Sequence, residues 1–235
     1  MPEMIDKGLA LGLETMCFTE HNDFDYPRTE EADLALLEKT GVDYVLMPSV
    51  EDIYPQKDTR VFDLGTTDKT MDGAHRPGHF NGVAQVVSRL FDIVRPERAY
   101  FGEKDFQQIA VIREMVRRYG YPVQIIACPI VRGADGLALS SRNALLTPAH
   151  RAAAPTIYGA LSENAAAART MSVEEFRRRV VERIDATKLL KTEYLSVVHA
   201  ETLEEIDTWS DSFPMRCCIA VQAGDIRLID NIAIA

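Results

Sequence analysis

The stretch from residue 98 to 128 constrains the fold more than any other. Residues 98–101 (Arg-Ala-Tyr-Phe) read as a short strand entering Gly102. Residues 105–118 read as a helix stopped by Gly120, and residues 122–128 (Pro-Val-Gln-Ile-Ile-Ala-Cys) form a nearly continuous apolar strand. A strand without polar alternation is buried on both faces, and strands separated by a helix at this spacing belong to a parallel sheet covered on both sides. The same alternation starts upstream. Residues 29–40 predict a helix with Thr29 as N-cap and Gly41 just past its end, and residues 42–47 (Val-Asp-Tyr-Val-Leu-Met) predict a buried strand closed by Pro48. Residues 80–94 predict an amphipathic helix with Val83, Val86, Val87, Leu90 and Ile93 on one side, ended by Arg95-Pro96.

The texture changes after Pro129. A loop containing Gly133 and Gly136 leads to Thr147-Pro148, which opens an alanine-rich helix through about residue 168, and a second helix starts with Ser172 and Glu175 at capping-box spacing. Strands follow at 193–199, 216–222 and 226–230, the last two joined by an Ala223-Gly224-Asp225 hairpin turn. The expected organisation is an α/β domain over residues 1–130 and a smaller α+β domain over residues 131–235.

With 235 residues, 46% of them hydrophobic, the chain has the means to bury a full core. Its net charge of −10 opposes nonspecific attraction to nucleic acid or an anionic membrane, so neither is an expected partner. No apolar run approaches the roughly 20 residues of a membrane span, and the opening Met-Pro-Glu-Met-Ile-Asp-Lys resembles no signal or transit peptide; a cytoplasmic address is expected. Cys17, Cys128, Cys217 and Cys218 show no Cys-x-x-Cys spacing and read as buried free thiols.

Two short segments carry chemistry. Gly102, Glu103, Lys104 and Asp105 lie where a strand ends and a helix begins, the place where open parallel sheets bind ligands. Free N–H groups and the helix dipole favour phosphate there, Lys104 adds a point charge, and Asp105 offers oxygen to magnesium, directly or through water. The same residues would serve equally as a helix cap facing solvent. Ser140, Ser141 and Arg142 supply hydroxyls and a bidentate fork after the glycine-containing loop, and that stretch alone reads as readily as a plain serine turn. His75 and His79 have the spacing of a helical metal pair, but Arg76-Pro77-Gly78 between them breaks any helix. His21, His150 and His199 are isolated. No Walker loop, Gly-x-Gly-x-x-Gly or Gly-x-Ser-x-Gly occurs.

Taken together and in order, Asp23-Phe-Asp-Tyr-Pro-Arg-Thr29, His75-Arg-Pro-Gly-His-Phe-Asn-Gly-Val83, Phe101-Gly-Glu-Lys-Asp-Phe-Gln-Gln108, Val131 with the following Arg-Gly-Ala-Asp-Gly-Leu137, and Leu139-Ser-Ser-Arg-Asn143 resemble the pantoate–beta-alanine ligase family from about residue 18 onward. The resemblance implies a Rossmann-like parallel sheet of the nucleotidyltransferase superfamily. It also implies an enzyme that uses ATP and magnesium to convert pantoate to pantoyl adenylate, which beta-alanine then attacks to give pantothenate and AMP. It implies ATP binding by Gly102, Glu103, Lys104, Asp105, Val131, Leu139, Ser140, Ser141 and Arg142, with Lys104, Ser140, Ser141 and Arg142 taking part in catalysis. Gln108 corresponds to a glutamine that holds pantoate, Val131 to a residue that meets adenine through its backbone, and a homodimer is expected.

The departure lies near the N-terminus. The family's first strand leads into a Met-Gly-x-Leu-His-x-Gly-His loop that residues 1–22 do not match. Where members carry Asn-Pro-x-Gln-Phe, this sequence has Glu14-Thr-Met-Cys-Phe18, with Cys17 in the glutamine's place. The expectation is therefore a sheet without its first strand. The sequence is then either an incomplete representation of an active ligase or a truncated paralogue that binds nucleotide or dimerises.

Overall fold

The computed structural model describes residues 15–17 and 30–234. Strands β1 (Thr15–Cys17), β2 (Arg98–Gly102) and β3 (Gln124–Cys128) form a parallel sheet in that order, with Thr15 opposite Arg98 and Arg98 opposite Gln124. Helix α1 (Glu30–Lys39) stops where Gly41 takes φ 77°. The Gly41 N–H donates to Glu38 O and the Val42 N–H to Leu37 O, so the last carbonyls are satisfied by a Schellman motif. Thr29, the expected cap at the other end, and His21 lie outside the described residues.

Residues 42–47 correct the sequence reading, because they are not a strand. An extended segment becomes a strand only by hydrogen bonding to a neighbour, and no described residue pairs with this one; Val42, Tyr44 and Met47 are exposed. Short helices α2 (Val50–Ile53) and α3 (Met71–His75) precede the long α4 (His79–Val94), which ends with Arg95 in the left-handed region. The chain does break between His75 and His79 as its Pro-Gly pair dictates. The buried face of α4 is Phe80, Ala84, Val87, Ser88 and Phe91, whereas Val83, Val86, Leu90 and Ile93 are half-buried. The expected stripe is thus rotated about the axis, since the aromatic rings at 80 and 91 bury more area than the valines.

The polar side of α4 holds residues 58–62. Asn81 accepts from the Phe62 N–H and donates to Arg60 O, and Arg60 forks onto Asp58 (Nη2–Oδ2 2.6 Å) with Arg89 at 3.5 Å. The Arg60 hydrogen bonds hold the Asp58 carboxyl at about 2, below the ordinary 3.8. A carboxyl whose pKa is lower folded than unfolded stabilises fully above 3.8, and that contribution is lost as pH falls through the interval down to 2. The urea midpoint of the native chain should therefore fall more steeply across this interval than that of Asp58→Asn; parallel slopes would show that Asp58 contributes nothing to acid sensitivity.

Helix α5 (Phe106–Tyr119) follows a 3-10 turn at Glu103–Asp105 and stops at Gly120, φ 71°. Beyond β3 come α6 (Pro148–Ala153), α7 (Thr156–Ala166) and α8 (Val173–Asp185), then β4 (Lys191–His199), β5 (Met215–Ala223) and β6 (Ile226–Ile234) in an antiparallel sheet of that order. The single helix expected to run to residue 168 is divided, because Pro155 has no N–H with which to continue the ladder. Ser172 caps α8 by accepting from the Glu175 N–H (3.1 Å), while the Glu175 carboxylate turns to Arg178 and Arg179 instead of completing the box. Gly224 at φ 65° makes the tight β5–β6 turn.

Two apolar cores result. Phe101, Ile109, Ile112 and Met115 sit in one, between the parallel sheet and α4 and α5; Leu161, Phe176, Ile184 and Ile219 sit in the other, between the antiparallel sheet and its helices. A smaller cluster of Met71, Ala110, Val198, Leu203 and Cys218 joins them. The alternation of β5 explains the arrangement: Cys217 points into the C-terminal core and Cys218 into the junction. Both thiols are buried and Cys128 is only partly so.

Candidate active site

A cavity of about 230 Å³ opens at the junction, beyond the carboxyl end of β2. Lys104, Asp105 and Gln108 approach it from the 3-10 turn and α5, and Ser140, Ser141 and Arg142 from the segment opposite. The two chemistry-bearing segments are therefore brought to one space. Lys104 Nζ lies 3.7 Å from Asp105 Oδ1. Asp105 forms no side-chain cap on α5, so the first N–H groups of that helix keep their capacity for an anion. The Gln108 amide makes no hydrogen bond to the described residues.

Other predicted residues stand around the cavity without lining it. Gly102 closes β2, with nothing among the described residues within 4 Å of where a Cβ would stand, and Glu103 turns toward Arg216 (3.0 Å). Val131 and Leu139 flank a hairpin in which the Leu139 N–H donates to Val131 O (2.9 Å) and the Gly133 N–H to Leu137 O. Their side chains are 67% and 55% exposed, apolar surface beside the cavity mouth. Ser140 accepts from the Arg142 N–H (3.3 Å), so the serine turn and the cavity wall are one structure.

The sequence reading missed the groups that hold these segments in place. Arg132 forks onto Asp230 of β6 (2.7 and 2.8 Å), donates to Gly136 O and stacks 3.7 Å from the Tyr158 ring centroid, fastening the hairpin to the C-terminal sheet. Gln107, buried beside the predicted Gln108, accepts from the Asp72 N–H and donates to Thr67 O and Thr70 O. Asp72 takes the Tyr194 hydroxyl (2.9 Å) and pairs with Arg227, which also holds Glu193 (2.7 Å). Burial raises the Tyr194 pKa, so the phenol keeps its proton for Asp72. The one available signal was the presence of Arg227, Asp230 and Asn231 on an otherwise apolar strand.

The two histidines separate. His75 stacks on Tyr194 (5.3 Å) and lies 3.5 Å from Glu193, whereas His79 lines the cavity with Nε2 3.2 Å from Arg76 Nη1. Burial, reinforced by Arg76, lowers the His79 pKa and keeps the ring neutral at neutral pH. Among the described residues no three His, Cys, Asp or Glu side chains converge as a metal centre. Four cationic side chains line the cavity, Arg76, Lys104, Arg142 and Arg227, against three acidic ones, Asp72, Asp105 and Asp230. In a chain of net charge −10 this is a local positive field suited to a polyphosphate and a carboxylate.

The model of the Pantoate-beta-alanine ligase family matches residues 13–233. A pantothenate synthetase of Porphyromonas gingivalis is 53% identical over 216 residues, covering 92% of this chain and 77% of that protein, and one of Bacteroides thetaiotaomicron is 50% identical over the same shares. The crystal structure of pantothenate synthetase from Thermus thermophilus superposes with a TM-score of 0.85 at 41% identity, covering 98% of this chain and 87% of that one. A Francisella tularensis pantoate-beta-alanine ligase, complexed with beta-gamma ATP and beta-alanine, superposes at 0.74 with 29% identity over 99% and 84%.

Proposed function

The chain belongs to the pantoate-beta-alanine ligase family, and from that premise we propose that the junction cavity is where its reaction takes place. The reaction is the ATP-dependent condensation of pantoate with beta-alanine. The pantoate carboxylate attacks the α-phosphorus of ATP and the bond to pyrophosphate breaks. The beta-alanine amine then attacks the acyl carbon of pantoyl adenylate, and AMP leaves as pantothenate forms. No protein nucleophile is needed, so the protein's task is to orient the reactants and stabilise negative charge.

The supporting observation is that Lys104, Gln108 and Ser140 to Arg142 meet on one cavity although they are distant in sequence. In this reading Lys104 and Arg142 take the charge that develops on the phosphates, and Ser140 and Ser141 donate to phosphate oxygens. Gln108, with no hydrogen bond to a described residue, orients pantoate. Gly102 and Glu103 shape the phosphate turn, Val131 meets the adenine through its backbone, and exposed Leu139 packs against it. Asp105 is a single carboxylate, which fits an ion arriving with the nucleotide better than a resident one, since magnesium is commonly held by one or two carboxylates plus phosphates. Bound there, magnesium would neutralise pyrophosphate charge. A domain boundary near residue 130, a homodimer and a cytoplasmic address belong to the same reading; no helix among the described residues is long and apolar enough to cross a membrane.

Exchange of labelled pyrophosphate into ATP tests this directly. Exchange should require pantoate; exchange supported by another acid and not by pantoate would refute the substrate assignment.

A further inference from the structure

We infer that Asn231, on β6, is a positioning residue for Lys104, so that the C-terminal sheet sets the geometry of the phosphate turn. The inference rests on the reading above, in which Lys104 faces the phosphates. Asn231 is 2% exposed, and its amide is committed on every side. Nδ2 donates to Glu103 O (2.8 Å) and Lys104 O (3.0 Å), and Oδ1 accepts from Arg216 Nε (2.7 Å). The two carbonyls require the amino group and the guanidinium requires the oxygen, which fixes the amide's orientation. Arg216 in turn reaches Glu103 Oε2 (3.0 Å) and lies 4.6 Å from the centroid of Phe106, the first residue of α5.

The turn so gripped is three residues long, and its backbone carbonyls at 103 and 104 both end on this one side chain. Freed of it, the peptide planes on either side of the Lys104 Cα can rotate, and rotation there swings the ammonium group. A misplacement of about 1 Å costs as much as a hundredfold in rate. Asn231 borders the cavity, but with its amide spent on Glu103 O, Lys104 O and Arg216 it acts through Lys104.

The test is a double-mutant cycle on pantoate-dependent pyrophosphate exchange, with ATP affinity measured by calorimetry alongside. Asn231→Asp keeps the size and the acceptor for Arg216 but loses both donors; Asn231→Ala removes the clamp. Each should lower the exchange rate about tenfold or more while the KM for ATP changes less than about threefold. In a Lys104→Ala background either substitution should add less than about twofold, because the group being positioned is already gone. Val180→Ala in the C-terminal core supplies a control that loses stability and keeps its exchange rate. Losses that multiply in the double variant, or a fall no larger than that of Val180→Ala at matched stability, would overturn the positioning role alone. An unaltered chain that neither exchanges nor binds ATP, or a Lys104→Ala variant that exchanges normally, would overturn the functional reading and this inference with it.

Discussion

Lys104→Ala lowers the rate of pantoate-dependent pyrophosphate exchange by about a hundredfold or more, with a far smaller change in pantoate affinity. The size of the effect follows from where charge appears. As the bond between the α-phosphorus and the bridging oxygen breaks, negative charge builds on the departing pyrophosphate, and Lys104 presents its ammonium to the cavity with Asp105, 3.7 Å away, as its acidic neighbour. A fixed cation aimed at developing charge stabilises the transition state more than the ground state, so the loss is in turnover. The side chain makes no other ion pair among the described residues, so the variant should unfold at nearly the native denaturant concentration. Stopped-flow or exchange rates decide the matter; wild-type turnover in Lys104→Ala would remove Lys104 from the phosphate site.

Asp230→Ala is expected to have the largest effect on stability, about 3–5 kcal/mol, because it strands a buried guanidinium. The Asp230 side chain is 3% exposed and that of Arg132 is 16%, and the pair is bidentate. Without the carboxylate, Arg132 keeps Gly136 O and the Tyr158 face but has no counter-charge. A loss of this size is a large fraction of the stability of an ordinary domain. It should also loosen the hairpin carrying Val131 and Leu139, so ATP affinity should weaken together with the urea midpoint. Asp230→Asn, which keeps hydrogen-bond acceptance without charge, should cost clearly less. Equal effects of the two substitutions would mean that the charge is irrelevant and only the shape matters.

Local chemistry decided what was legible in the sequence. Gly41, Gly120 and Gly224 stand at left-handed positions that the stops and the hairpin require, and the largely apolar run at 124–128 does pair in parallel with β2, so helices, turns and the parallel pair could be read from neighbours in the chain; burial on both faces could not, since Gln124 is exposed and residues 125–128 are only half-buried. The cavity residues became legible through their order and their resemblance to a family. Failures came where a distant partner decides. Residues 42–47 have strand composition but no described residue pairs with them, and Pro155 outweighed a run of alanines. The Asp72–Arg227 and Arg132–Asp230 pairs, separated by 155 and 98 residues, leave no local trace except charges on a strand that otherwise reads as core.

The alternation that sends Cys217 to one side and Cys218 to the other has an evolutionary consequence. The antiparallel sheet has no face left over: its own helices cover one, and the nucleotide-side unit meets Val198, Cys218 and Asn231 on the other. A gene segment encoding the antiparallel sheet and its helices is therefore a poor currency for recombination, since grafted onto a foreign partner it would arrive with one sheet face bare and its asparagine holding nothing. The two halves have to be inherited as a matched pair, down to the Arg132 of the hairpin and the Asp230 of β6 that holds it.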